Sequence, residues 1–173
     1  MNEERIYRLL YGKSLRYLGL RMRSELEMRK KLEEWSKGLT YGEDGESSVT
    51  WSEVIERIVG QLKKETFLSD RRFAWEWVRS RLKSGKRGPG VIKMELRAKG
   101  IVREVVEEVL AEINESDDAV SELEGARIAA EKYLRRLIGK SAREQSAKLY
   151  AHLAGKRFNE SVIRSVIKEK MSS

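Results

Sequence analysis

The 173-residue chain contains no cysteine, a single histidine and a single proline, and aromatic residues make up only 8% of it. Without cysteine there are no disulfides, no thiolate metal ligands, no thiol nucleophile and no redox switch. The lone His152 excludes paired-histidine zinc sites and two-histidine mechanisms, and no G-x-S-x-G elbow accompanies it for a Ser-His-Asp arrangement. No apolar run approaches the ~20 residues of a bilayer-spanning helix, and the start MNEERIYRLL is too charged for a secretory signal. The expected location is therefore the cytoplasm. With 37% charged and 40% hydrophobic residues and a mean hydropathy of −0.60, the composition is helical rather than that of a turn-rich β protein.

What the chain has in abundance is positive charge, unevenly placed. The net charge is +8 and the isoelectric point near 9.7. Residues 1–70 are neutral; residues 71–103 hold 11 basic against 2 acidic side chains, 104–131 hold 1 against 10, and 132–173 hold 11 against 3. Two basic stretches flank an acidic one. Segregation of this kind favours a polyanionic partner, either nucleic acid or an acidic protein surface, because the summed potential steers encounter at long range.

The apolar pattern repeats three times. Val54-Ile55 with Ile58-Val59, Val105-Val106 with Val109-Leu110, and Val162-Ile163 with Val166-Ile167 each form the i, i+1, i+4, i+5 stripe of a short amphipathic helix. Leu96 precedes Val105 by nine residues, as Leu153 precedes Val162. Further upstream, Ala74, Val78 and Leu82 align with Ala129, Tyr133 and Leu137 as an i, i+4, i+8 face. In the first copy Leu15 to Leu32 takes that place, followed by a polar insertion from Gly38 to Ser48. The predicted fold is all-α, an elongated array of three tandem three-helix repeats. The first repeat, with an added N-terminal helix and the polar loop, spans 1–69, the second 70–120 and the third 121–173. Such short units bury little alone, so neighbours must share contacts.

Helix starts agree with this division. S/T-x-x-E capping boxes occur at Ser24–Glu27, Thr50–Glu53, Ser121–Glu124 and Ser141–Glu144, and Asn159 is placed to cap the last helix. Pro89 suits a first turn, Gly100 a helix stop, and Gly155 is expected to act as Gly100 does. The spacing predicts helices over 3–11, 14–22, 25–36, 52–64, 70–84, 89–98, 102–113, 122–138, 142–154 and 160–170.

Little of this points to catalysis. His152 aligns with Glu95 and reads as a surface or boundary residue. The pairs Glu107-Glu108 and Asp117-Asp118 fall in helix flanks and loops with no cleft implied. The loop from Lys83 to Gly90 has three glycines and three cations but lacks G-x-x-x-x-G-K-[ST]; it reads equally as an anion cradle at a helix start or as a solvated loop. Trp75 and Trp77 are two apart and so on different helix faces, with Trp77 expected to be partly exposed beside Arg79, Arg81 and Lys83.

Three segments carry a family likeness: R-S-E-L-E-M-R-K-K-L (Arg23 to Leu32), F-L-S-D-R-R-F-A (Phe67 to Ala74) and G-P-G-V-I-K-M-E-L-R-A-K-G-I (Gly88 to Ile101). They resemble the R-S-x-x-E-L-x-x-K-L, D-D-x-x-F-A and G-x-x-x-I-x-x-E-L-x-x-K-G-I patterns of the RecX family of regulators of the RecA recombinase, from about Ser14 to about Lys170. Ser69 departs from the acidic pair, Glu25-Leu26 falls one residue early, and the polar insertion is extra. The resemblance implies a non-enzymatic modulator that lies along the groove of the RecA–DNA filament and suppresses recombinase and ATPase activity and strand exchange. Beside it, no metal, cofactor or membrane partner is expected, and the chain is expected to be a monomer that also contacts single- or double-stranded DNA. The expected contacts are Arg71, Arg72, Arg79, Arg81, Lys83, Lys86 and Arg87, then Lys132, Arg135, Arg136, Lys140, Arg143, Lys148, Lys156 and Arg157. A direct DNA-binding module acting without RecA is the alternative, since a three-helix unit can place one helix in a major groove. A nuclease is the weakest reading, because no convergent metal-ligand motif is present.

Overall fold

The computed structural model describes residues 3–39, 50–116 and 121–172. Most of the polar insertion and the Asp117-Asp118 pair lie outside the described residues. Among those described there are nine helices and no strand: α1 (Glu3–Leu20), α2 (Glu25–Ser36), α3 (Trp51–Lys64), α4 (Asp70–Ser84), α5 (Pro89–Ala98), α6 (Arg103–Glu115), α7 (Glu122–Leu134), α8 (Ala142–Gly155) and α9 (Glu160–Met171). This is the all-α repeat architecture that the stripes predict. The chain divides into two compact units, residues 1–73 and 74–173.

In the first unit α1, α2 and α3 pack on one another around Ile6, Leu10, Met28, Leu32, Val54, Ile55, Ile58, Val59, Leu62 and Leu68. The stripe on α3 is buried at all four positions. The spacing predicts a break around Gly12, but α1 runs unbroken, because Ile6, Leu10 and Ser14 continue an i, i+4, i+8 buried face across it. The Ser14 hydroxyl donates to the Leu10 carbonyl at 2.8 Å, so burial there leaves no unmet polar group. Burial on that scale outweighs the ~1 kcal/mol that an interior glycine costs a helix. The Ser24 and Thr50 capping boxes are both complete. Asp70 opens α4 and accepts the free Glu25 N–H at the start of α2, at 2.7 Å, while the Ser69 hydroxyl accepts from Arg72 N–H. The motif residues Ser69 and Asp70 thus secure helix starts.

The second unit contains α5 against α6 and the trio α7, α8 and α9. Two of its turns are built alike. The Ile101 N–H donates to Leu96 O at 3.1 Å and Phe158 N–H to Leu153 O at 3.4 Å, each across a left-handed residue: Gly100 (φ +82°) and Arg157 (φ +58°). Gly155 is therefore not the counterpart of Gly100; it ends α8, and Arg157 takes the left-handed position in register with Leu153. Helix α7 stops at Leu134 rather than running to 138, and turns through Gly139 (φ +86°), with the Gln145 amide donating to Leu137 O and Lys140 O. Ser141 forms a full capping box and Ser121 half of one. Asn159 precedes α9 without a side-chain cap. Its backbone N–H and its amide both donate to the buried Glu122 carboxylate, at 2.7 Å each, tying the starts of α7 and α9 together.

The loop between α4 and α5 is locked into this trio. Gly88 N–H donates to Lys156 O at 2.9 Å and Gly90 N–H to Arg157 O at 3.2 Å. A Cβ on Gly88 would sit 2.6 Å from the Arg157 carbonyl and the Phe158 nitrogen, all backbone atoms. Gly85 (φ +62°) approaches the Ala129 backbone nearly as closely, and Gly125 of α7 lies against Leu82 of α4. Replacing Gly88 by alanine is expected to lower stability by about 1–3 kcal/mol through overpacking against backbone. Gly60→Ala, in the open interior of α3, is expected to raise it by about 0.5–1 kcal/mol. Urea-unfolding midpoints check both, and a neutral G88A would show that the loop is not wedged.

Candidate polyanion-binding surface

The expected contact residues divide between the units. Arg71 and Arg72, in the first turn of α4, belong to the first; Arg72 donates to the Thr66 carbonyl at 2.7 Å. The rest belong to the second unit, where the loop lock gathers several of them.

Arg81 and Arg87 meet at Glu95 of α5. Arg81 Nε donates to Glu95 Oε2 at 2.9 Å, the Trp77 indole N–H donates to the same oxygen at 2.8 Å, and Arg87 pairs with Oε1 at 3.4 Å. Burial pushes the Glu95 carboxyl pKa up, but the hydrogen bonds from Arg81 and Trp77 and the charges of Arg81 and Arg87 outweigh it, leaving the pKa below the ordinary glutamate value. The Trp77 ring is half-buried, with the Arg81 guanidinium 4.2 Å and the Lys99 ammonium 4.6 Å from its centroid. Trp75, on another face, carries Arg79 at 5.3 Å, and Arg79 also reaches Glu76 at 4.0 Å. Arg79, Arg81 and Arg87 are thus neutralised in part within the fold.

The remaining cations are less engaged, although Arg135 acts on Glu131, and Lys140 and Lys148 on Glu144, closely enough to lower those carboxyl pKa values. Lys83, Lys86, Lys132, Arg135, Arg136, Lys140, Arg143, Lys148, Lys156 and Arg157 make no ion pair with a carboxylate among the described residues. Lys132 donates to Ser84 O and Lys156 to Lys86 O, both at 2.9 Å, so two ammonium groups are held on loop carbonyls. The Arg157 guanidinium lies on the Met94 sulfur. Lys156 is pushed below the usual lysine range by burial and by the neighbouring charges of Arg87 and Lys132.

His152 is half-buried and stacks face to face on Tyr133, centroids 3.9 Å apart and planes 2° from parallel. Burial, Lys156 and Arg136 all lower its pKa, which keeps the imidazole neutral at pH 7. The glycine loop does not cradle an anion with its backbone: the N–H groups of Gly85, Lys86, Gly88 and Gly90 already donate to Leu82 O, Ser84 Oγ, Lys156 O and Arg157 O. Its contribution is to present side chains.

Glu95 and Tyr133 are not among the functional residues that the sequence suggests. The signal for Glu95 is its alignment with His152, each just before the register leucine Leu96 or Leu153, combined with the i, i+4 spacing of Trp77 and Arg81 on one helix face. Among the described residues, no group of three or more His, Asp or Glu side chains converges as metal ligands, and no helix is long and apolar enough to cross a membrane.

Comparison with known proteins agrees with this architecture. Residues 69–110 match the family model "RecX, second three-helix domain", and residues 121–167 match "RecX, third three-helix domain". The chain is 33% identical to the regulatory protein RecX of Bacillus licheniformis over 92% of its own length and 54% of that protein's. It is 30% identical to the regulatory protein RecX of Limosilactobacillus reuteri over 90% and 53%. It thus spans about half the length of these relatives. A crystal structure of RecX from Lactobacillus salivarius superposes with a TM-score of 0.73 at 26% identity, covering 96% of this chain and 97% of that one.

The Glu95 cluster generates a pH test. A carboxyl whose folded pKa is depressed contributes stability that is fully present above about pH 5 and is lost as pH falls through the folded value. Glu95→Gln is expected to cost about 1–2 kcal/mol at pH 7. The gap between the native protein and E95Q should narrow as pH falls toward about 3. Urea titrations across that range measure it, and a gap independent of pH would contradict the assignment.

Proposed function

The chain belongs to the RecX family, and from that premise we propose that it is a non-enzymatic regulator of RecA that binds the RecA–DNA filament along its groove and suppresses ATP hydrolysis and strand exchange. The observation that carries this reading is the pair of adjoining RecX domain matches. What supports its physical side is a set of cations, Lys83, Lys86, Lys132, Arg136 and Lys156 among them, that make no ion pair among the described residues: positive charge left in excess in the free protein is relieved by a polyanionic partner. The three repeats, divided near residues 69–70 and 120–121, act as successive contact modules. Several weak contacts in series, linked in one chain, give strong net binding through effective concentration. The protein works in the cytoplasm as a monomer and requires no cofactor, and its inhibition follows from occupying the groove rather than from turnover.

The direct DNA-binding alternative is separated from this by the partner. Binding to RecA-coated strands far in excess of binding to bare DNA is expected. RecA-dependent ATP hydrolysis on single-stranded DNA should fall as the protein is added. Unchanged hydrolysis at a saturating amount, with no association with filaments, rejects the proposal. Charge reversal at Lys83, Arg135 and Arg143, none of them ion-paired among the described residues, is expected to weaken filament association about tenfold or more with helicity retained. Undiminished association would place the contact surface elsewhere. Arg81 is a poorer probe, because its reversal also dismantles the Glu95 and Trp77 cluster.

A further inference from the structure

Two adjoining clefts in the second unit lie where the α4–α5 loop meets α7 and α8. One, of about 260 Å³, is lined by Lys86, Lys132, Tyr133, Arg136, His152 and Lys156 together with small residues of the loop and α7, and no carboxylate faces it. The other, of about 290 Å³, is lined by Arg81, Lys86, Arg87, Glu95 and Lys156. Its one carboxylate is already engaged by Arg81, Arg87 and the Trp77 indole. The clefts share Lys86 and Lys156, so a cationic lining runs without a break from Arg87 to Arg136.

We propose that this double cleft is a binding site for the phosphodiester backbone of a nucleic acid strand, with neighbouring phosphates seated one in each half. Three features carry the inference. First, the cations are held in place before any ligand arrives. Lys132 and Lys156 each spend one N–H on a loop carbonyl and retain two for a ligand, and the loop itself is fixed by the Gly88 and Gly90 hydrogen bonds to Lys156 and Arg157. Second, like charges are crowded. Burial is the larger cause of the depressed pKa of Lys156, and the neighbouring charges of Arg87 and Lys132 add to it; that added repulsion is what an anion relieves. Third, the lining is continuous across two concavities, which suits a chain of phosphates better than one isolated anion. Guanidinium groups at both ends, Arg87 and Arg136, provide the fork that phosphate oxygens accept.

The inference rests on the filament reading only for its setting, so its test contains no recombinase. Binding of a labelled oligothymidylate to the full chain is followed by fluorescence anisotropy over a range of salt. The double variant Lys86→Glu/Arg136→Glu is expected to lose about tenfold or more in affinity, and its salt slope should shrink by about 1.4, about 0.7 for each of two phosphates no longer neutralised. Neither side chain makes an ion pair among the described residues, and far-UV circular dichroism checks that the fold persists. Should the reversal unfold the chain, Lys86→Gln/Arg136→Gln is the substitute and is expected to show the same direction. The charge-matched control Lys30→Glu/Lys168→Glu, outside both clefts, should stay within about threefold of the native affinity. Equal losses in control and cleft variants would overturn the site in favour of diffuse charge. Polyglutamate binding as tightly as the oligonucleotide, with the same dependence on Lys86 and Arg136, would overturn the phosphate assignment. Inorganic pyrophosphate competing as well as the oligonucleotide would overturn the polymeric one. Loss of oligonucleotide binding in the cleft variant with filament inhibition intact removes this site's phosphate from the inhibitory contact and leaves the filament reading standing.

Discussion

The second unit depends on one close approach: the backbone of Gly88 and Gly90 laid against the turn that follows α8. Two N–H···O=C bonds run from the loop to Lys156 and Arg157, with less room beside Gly88 than a methyl group requires. Without this contact the α4–α5 connection would be a solvated run of glycines and cations. With it, the loop becomes part of the packing of the last three helices, and the side chains of Lys86, Arg87, Lys132 and Lys156 converge. The left-handed conformation of Arg157, which costs an ordinary side chain roughly 1 kcal/mol, is part of the same arrangement, since its carbonyl must point toward Gly90.

Much of the fold is legible in the sequence because amphipathic spacing is a local property. The paired stripes on α3, α6 and α9 mark the buried faces, with Val105, Val162 and Ile167 half-covered at their edges. Three of the four capping boxes close in full. Sequence and structure part where a tertiary contact outweighs a local preference. Gly12 reads as a break, yet α1 passes through it because Ser14 is buried on the same face as Leu10 and meets its own hydrogen-bonding need. Gly155 reads as the counterpart of Gly100, and it does end α8, yet register with Leu96 and Gly100 assigns the left-handed position to Arg157. Asn159 reads as a cap, yet its side chain is taken by Glu122, and nothing in either residue's neighbours along the chain announces that pairing.

The candidate site shows the same division. Which segments are basic follows from counting, but which cations stay unneutralised depends on where ten acidic side chains between residues 104 and 131 end up. Glu122 turns inward to Asn159, Glu124 pairs with Arg127, Glu131 with Lys170, and Glu107 with Arg103 and Lys93. These four carboxylates are thus engaged by side chains of α5, α6 and α7, by Asn159 and by α9. Pairing within the last three helices leaves Lys132, Arg136 and Lys156 available to a partner's charge, a conclusion that depends on coordinates rather than composition.

The stack of Tyr133 on His152 has a consequence for evolutionary freedom. Two flat rings nearly in van der Waals register act as a spacer that keeps α7 and α8 at a set separation while adding no charge at neutral pH. An aliphatic pair would let the helices drift together, and a lysine in place of the imidazole would add another cation beside Lys156 and Arg136. The ring pair stands in the lining of the cationic cleft, so drift at either position would alter that lining while leaving the apolar faces of the repeats untouched.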